Sequence, residues 1–310
     1  MIKTVTALNS MVRYNSLNNY LKTKFGKKVY KLSLDGGFTC PNRDGTLGSR
    51  GCIFCSAKGS GEFTPSRTMS ISQQIESAKG RVKSKTKDNC YIAYFQAFTN
   101  TYAPTTVLRD KFTEAINHKD IVALSIATRP DCISEETYIL LESLNKIKPV
   151  WVELGLQTTK ESSVEYIRRG YENQVYAETA KKLKSMGIEV ITHVILGLPD
   201  ETKEDMLNSV KFAAKYSDGI KLQLLHILEG TDLLADYNMG KFSVLTMEEY
   251  TDILCDCIEV LPKNVVIHRL TGDGDKKILV APKWSGDKKR VLNYINKEFE
   301  ERNIIQGGRI

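Results

Sequence analysis

The sequence predicts an α/β fold, a partial (β/α)6 barrel of parallel strands with short N- and C-terminal extensions. Three observations carry that prediction. Between Val29 and Leu228, six short apolar runs alternate with longer amphipathic segments, the pattern of βαβ units with right-handed crossovers. The runs are nearly continuous in apolar character, as strands covered on both faces are. A cysteine triad follows the first run, in the type of loop where such sheets gather their chemistry, at the C-terminal ends of the strands.

The strands are expected at 29–34 (VYKLSL), 90–98 (CYIAYFQAF), 121–127 (IVALSIA), 150–156 (VWVELGL), 188–196 (IEVITHVIL) and 220–228 (IKLQLLHIL). Helices are expected between them at about 70–86, 105–118, 134–146, 173–186 and 202–215. Ser134-Glu-Glu-Thr and Thr202-Lys-Glu-Asp read as helix starts with acids in the first turn. Beyond the sixth run, residues 230–250 read as a loop covering the mouth, and 246–261 as a helix. A short strand beside the opening follows at Val265–Ile267, and a helix spans Asp287 to Arg302. The expected division is a helical extension over 1–23, a core over 24–270 and a C-terminal extension over 271–310.

At 310 residues, 41% hydrophobic and 26% charged, the chain has the composition of a soluble globular protein with ample core. Met1 to Ser10 lacks a secretory pattern, and no run approaches the roughly 20 apolar residues of a membrane span. The cytoplasm is the expected location, and no membrane partner is expected. Seven cysteines without regular spacing argue against a disulfide scaffold. The net charge of +7 is concentrated in Lys22, Lys24, Lys27, Lys28 and Lys31, in 79–87, and in 283–290. Each cluster alone reads as a solvated face; together they are compatible with an anionic partner such as nucleic acid.

In the triad, Cys40 is separated by eleven residues from Cys52, and Cys55 follows after two more. Gly45, Gly48 and Gly51 let the intervening stretch wrap around a compact object. Thiolates are the usual ligands of iron–sulfur clusters, and three would leave one iron of a [4Fe–4S] cluster open to a substrate or cofactor. A zinc knuckle is the other reading of Cys-x-x-Cys, although it needs a fourth ligand. No other Cys or His occurs between Met1 and Lys87.

The other strand ends add polar groups: Gln96 and Thr99 to Tyr102, Thr128 and Arg129, Glu153 and Gln157, and His193. Any one of them reads as a cap. Four such groups converging on one mouth with a cysteine triad read as the wall of a ligand site. Cys90, at a strand start, reads as a small buried hydrophobe. Cys255 and Cys257 lie on the 246–261 helix facing different ways, and Cys132 reads as structural.

These motifs resemble the radical S-adenosylmethionine (SAM) superfamily, most closely its YhcC/YtqA-like branch related to the radical domain of the Elongator catalytic subunit. The likeness rests on Cys40-x11-Cys52-x2-Cys55, Tyr94 to Tyr102, Thr128-Arg-Pro-Asp-Cys132 and Glu153-Leu-Gly-Leu-Gln157. It also rests on Arg168-Arg169-Gly170, Gly197-Leu-Pro199 and His268 to Asp273. The wide first spacing departs from the superfamily's common Cys-x3-Cys-x2-Cys and is the habit of this branch. The resemblance implies that Cys40, Cys52 and Cys55 hold a [4Fe–4S] cluster whose fourth iron is chelated by SAM. It also implies an electron donor such as flavodoxin or ferredoxin.

For SAM, the resemblance implies contacts from Gln96, Thr99 and Thr128. Gln96 to Thr99 replace the Gly-Gly-Glu found on strand two of many members. Arg169 would clamp the carboxylate, and Glu153 and Gln157 would meet the ribose hydroxyls. Gln157 and Arg169 share the spacing of SAM-binding residues in oxygen-independent coproporphyrinogen oxidase, and His193 stands where that relative has an Asp facing the ribose.

The branch implies action on the wobble uridine of tRNA by an iron–sulfur oxidoreductase type of enzyme. The reaction implied is removal of the carboxymethyl group from 5-carboxymethylaminomethyl(-2-thio)uridine, leaving 5-aminomethyl(-2-thio)uridine. Arg129, Lys221, His268 and Arg269 are the cationic candidates for the substrate carboxylate. The chain is too short for the acetyltransferase domain that follows the radical domain in the Elongator relative, so acetyl transfer is not expected. Two other readings stand beside this one: a radical SAM enzyme acting on a small metabolite or tetrapyrrole, and a nonenzymatic nucleic-acid-binding protein with a structural metal.

Overall fold

The computed structural model describes residues 12–86, 88–272 and 274–310. Residues 1–11 of the expected N-terminal extension, Lys87 of the second basic cluster and Asp273 of the last motif lie outside the described residues. The main sheet contains β1 (Tyr30–Leu34), β2 (Tyr91–Phe95), β3 (Ile121–Thr128), β4 (Val150–Gln157), β5 (Glu189–Leu196) and β6 (Gly219–Leu224). A separate short strand is β7 (Ile227–Leu228), followed later by β8 (Val266–Arg269) and β9 (Leu279–Ala281). The helices are α1 (Leu17–Phe25), α2 (Ile71–Val82), α3 (Thr105–Asn117), α4 (Glu135–Asn145) and α5 (Glu161–Tyr166). They continue with α6 (Asn173–Ser185), α7 (Lys203–Tyr216), α8 (Asp232–Asn238), α9 (Met247–Glu259) and α10 (Lys288–Glu301).

The sheet has seven parallel strands in the order β1-β2-β3-β4-β5-β6-β8. The short strand expected beside the opening is therefore the seventh member of the sheet, with Val266 opposite Gly219. The run 220–228 is divided. Leu225 makes a last backbone bond to Leu196, after which Ile227 and Leu228 pair antiparallel with β9. The expected loop over 230–250 contains α8, whose start is fixed by Thr231 accepting a hydrogen bond from the Leu234 amide.

The sheet curls into an open barrel. Laid flat, β2 and β6 would be about 19 Å apart at the usual strand spacing, yet Tyr94 Oη and Lys221 Nζ are 3.1 Å apart across the lumen. Strand alternation sorts the side chains. Leu32, Leu34, Phe95, Ile126, Val152, Leu154, Val190 and Leu222 face outward into the main core shared with the helices. On the inner face, Ile92, Ala123, Trp151 and Ile191 pack against Leu21 of α1, which closes the N-terminal end. One step further along the strands, the inner face becomes polar and opens at the C-terminal end.

Candidate active site at the barrel mouth

The cysteine stretch folds on itself before it meets anything else. Pro41 O accepts from the amides of Leu47 and Gly48 at 2.8 and 3.2 Å, and Asn42 O accepts from Gly51 at 2.7 Å. Gly45 and Gly51 have positive φ, whereas Gly48 does not. At Gly51 a Cβ would also stand 2.9 Å from the Arg43 guanidinium, so glycine is required twice over. That guanidinium donates to Cys55 O at 2.9 Å and Ser56 O at 2.6 Å, pinning the turn after the triad. Ile53, between the last two cysteines, packs with Ile167, Ile195 and Leu233 in a small core at the mouth. Its backbone bonds to Ile167 O and to the Leu233 amide.

A tetrahedral zinc with bonds of about 2.3 Å holds its sulfurs about 3.8 Å apart. Among the described residues, the only trio of such ligand atoms within 4.8 Å of one another is Glu76, His118 and Asp120, away from the mouth. The three cysteine sulfurs are spread more widely than one ion accepts, and all three residues line one cavity. This fits a larger iron–sulfur group better than a knuckle. Burial pushes the Cys52 thiol up to about 12, and Cys55 beside it adds to the rise. A bound cationic metal group favours the thiolate form.

The wall opposite comes from the strand ends. Gln96 lines the cavity with its Oε1 held by Ser33 at 2.8 Å. Thr99 is fixed through its amide to Thr39 O, and Thr128 through its hydroxyl to Thr101 at 2.6 Å. Gln157 stands out in two ways: it sits at φ +66°, where the β4–β5 register slips, and its side-chain Oε1 is buried without a partner. A non-glycine residue in that conformation with an orphaned acceptor is a common mark of a ligand site. Tyr171 holds the turn by donating to Gly155 O, and the guanidinium groups of Arg129 and Arg169 lie 4.8 and 4.6 Å from its ring centroid.

Below the mouth, the lumen carries a dry charged layer. The Glu153 carboxylate, fully buried, meets Lys31, Ser125, Lys221 and His193, the last at 2.7 Å. Burial pushes this carboxyl up, but Lys221, Lys31 and His193 outweigh it and hold it well below the ordinary carboxylate range. Burial lowers Lys221, only partly opposed by Glu153. His193 is brought down to about 4 by burial and the Lys221 charge, so it is neutral at pH 7. Glu153 is an acceptor, so His193 Nε2 carries the proton and Nδ1 is left as an acceptor.

Several residues stand elsewhere than the sequence reading puts them. Arg169 is 2% exposed, and all five of its N–H donors bond protein acceptors: Leu156 O, Thr158 O, Tyr171 O twice and Asn173 Oδ1. It has no donor left for a carboxylate and instead fixes the exit of β4. Glu153 is saturated by its lumen partners and presents no oxygen to a ribose. Lys31 belongs to this lumen layer, not to a surface cluster. Lys221 is 3% exposed and beneath the cavity, paired with Glu153 and Tyr94. His268 lies deeper still, its ring 5.6 Å from Trp151 in the apolar floor. Arg129 and Arg269 do line the cavity; Arg129 pairs with both oxygens of Asp131, and Arg269 donates to Gln223 at 3.2 Å. Cys90, Cys255 and Cys257 are buried in apolar surroundings. The last two are both inside because α9 packs against both α7 and α10.

Two family models match the chain. The radical SAM superfamily model covers residues 45–213, and the Radical_SAM C-terminal domain model covers 217–301. The chain is a member of the radical SAM superfamily. Its match to protein YtqA of Bacillus subtilis is 46% identical over 96% of this chain and 93% of that protein. Protein YhcC of Escherichia coli (strain K12) is 33% identical over 94% of this chain and 93% of its own. A tRNA uridine(34) acetyltransferase of Methanocaldococcus jannaschii is 26% identical over 63% of this chain and 36% of that protein. Among solved structures, Elp3 of Methanocaldococcus infernus has the same fold, with a TM-score of 0.67 and 18% identity over 90% of this chain and 64% of that chain. These place this radical SAM protein in the YhcC/YtqA branch related to Elongator. Its cofactors are a [4Fe–4S] cluster and SAM, as for the superfamily. Among the described residues no helix is long and apolar enough to cross a membrane.

Proposed function

We propose that this radical SAM enzyme modifies the wobble uridine of tRNA in the cytoplasm, as an iron–sulfur oxidoreductase with its core in residues 24–270. The observation that carries the reading is the likeness to a tRNA uridine(34) acetyltransferase across 200 residues. An arginine-lined cavity large enough to reach from the triad to Arg269 supports it. Cys40, Cys52 and Cys55 would hold the cluster. Gln96, Thr99, Thr128, Gln157 and His193 would face SAM, with Arg169 positioning Gln157 rather than touching the ligand. When bound, the cluster and SAM supply a 5′-deoxyadenosyl radical, which removes a hydrogen atom. The electron donor would be of the flavodoxin or ferredoxin class.

The reaction proposed is conversion of 5-carboxymethylaminomethyl(-2-thio)uridine to 5-aminomethyl(-2-thio)uridine. The methylene between nitrogen and carboxylate loses a hydrogen atom. Loss of the N–H proton and of one electron, passed to a one-electron acceptor of the iron–sulfur class, then gives an imine, and water splits it to the amine and glyoxylate. Arg269 and Arg129, on the cavity wall, are the residues proposed to meet the carboxylate. Deuterium placed on that methylene should appear in 5′-deoxyadenosine, and mass spectrometry should show the substrate nucleoside accumulating in tRNA from cells lacking the protein. Label arriving only from another carbon would overturn the reaction; an unchanged nucleoside profile would overturn the tRNA reading.

A further inference from the structure

The side-chain amide of Asn42 reaches two acceptors that belong to different parts of the site. Its Nδ2 is 3.3 Å from Cys52 Sγ and 2.7 Å from the carbonyl of Arg168. That carbonyl fixes the orientation of the amide, because only the nitrogen side can face it. The residue is 5% exposed, and its own carbonyl is held by the Gly51 amide at 2.7 Å. On the far side, a Cβ at Gly170 would stand 3.4 Å from Asn42 Oδ1. Asn42 is thus confined, dry and aimed at a sulfur.

We propose that Asn42 sets the reduction potential of the cluster by donating this N–H···S hydrogen bond. The inference rests on the assignment of Cys40, Cys52 and Cys55 as cluster ligands. Reduction adds one electron to the cluster, and part of its density falls on the ligand sulfurs. A donor aimed at one of those sulfurs stabilises the reduced form more than the oxidised form and raises the potential. Low exposure keeps water from supplying an equivalent bond. The second hydrogen of the same amide extends the arrangement. Arg168 directly precedes Arg169, which bonds the carbonyls of Leu156 and Thr158 on either side of Gln157. Asn42 therefore joins the cluster thiolate to the wall proposed for SAM. It acts as a positioning residue, touching the ligand sulfur and not the substrate.

The test is a redox titration of the reconstituted full-length protein, followed by the electron paramagnetic resonance of the reduced cluster, with iron and sulfide measured on the same samples. Asn42→Leu removes the donor at similar volume and should move the midpoint to a more negative value. Asn42→Asp should move it further, because a carboxylate opposes the added electron. Unchanged midpoints in both variants at wild-type iron content would overturn the proposal. Should neither variant assemble a cluster, the wild-type protein still decides. With asparagine carrying nitrogen-15 in its side-chain amide, the reduced cluster should show a hyperfine coupling to that nucleus, and no coupling would overturn the proposal. Wild-type protein that forms no four-iron cluster would overturn the cysteine assignment instead, which keeps the two failures distinct.

Discussion

A glutamine at φ +66° with a buried, unpartnered carbonyl oxygen is unfavourable in the cofactor-free protein on both counts. Replacing Gln157 by Gly should therefore act in two directions. The cofactor-free protein should gain on the order of 1 kcal/mol in denaturant unfolding, from relief of backbone strain. SAM affinity should fall roughly tenfold, as for loss of one hydrogen bond of about 1.4 kcal/mol. Undiminished SAM binding by calorimetry would remove Gln157 from the site. His193 yields a pH prediction of definite sign. Its folded value, about 4, lies below the unfolded value near 6.5, so the unfolded chain binds the extra proton between those limits. Stability should fall as pH drops from about 6.5 to 4, with this group contributing at most about 1.4 kcal/mol per pH unit. Glu153, held low, adds to this loss of stability as pH falls below about 4.5. The His193→Gln variant should show a flatter profile over 4–6.5, and an identical profile would mean that His193 is not the titrating group. The sequence shows that Glu153, Gln157, Arg169 and His193 belong near one mouth. It cannot show which of them satisfy each other first: Arg169 is saturated by backbone carbonyls, which no side-chain pattern encodes.

Elements were legible where the apolar period was strong. The strands that build the wall, and the helices between them, begin and end close to where composition and capping residues place them, as at Ser134 and Thr202. The short elements were not legible, because a two-residue strand such as β7 and a seven-residue helix such as α8 owe their form to tertiary contacts. Yet α8 holds much of the site together. Asp232 at its start pairs with Arg168 at 2.6 Å and Arg50 at 3.4 Å, and the Leu233 amide bonds Ile53 O at 3.0 Å, within the Cys52–Cys55 turn. Leu233 is fully buried in the same small core as Ile53. Leu233→Ala should cost about 2–5 kcal/mol by denaturant unfolding. It should also loosen the cysteine turn, so the reconstituted variant should lose iron faster during gel filtration than wild type. Normal iron retention at reduced stability would show that the turn holds its shape without α8.

At the scale of the whole molecule, the fold divides the basic clusters that composition alone treats together. Lys22 to Lys28 precede β1, and Lys79 to Lys85 lie at the end of α2 and in the short turn after it, just before β2, so both sets lie at the N-terminal end of the barrel, away from the mouth. Lys24 and Lys79 are moreover engaged by Glu189 and Asp120. The third cluster is different. Lys283 to Arg290 follow β9, which pairs with β7 just beyond the C-terminal end of β6, and Trp284 bonds Leu245 O beside Gly197 at the end of β5. Lys289 and Arg290 are exposed at that end. An RNA whose base enters the mouth would lay its phosphates on this side. Binding of tRNA to the full-length protein should weaken with salt, through release of counterions from the phosphates. Neutralising Lys289 and Arg290 together should lessen the slope of log affinity against log salt by about two, one for each lost phosphate contact. Neutralising Lys83 and Lys85 should leave the slope close to that of wild type. The two pairs carry the same charge, so net charge alone predicts equal losses, and only the position of the mouth predicts the difference. Equal slopes for both double variants would therefore reject entry of tRNA at this end of the barrel, without touching the cluster or the fold.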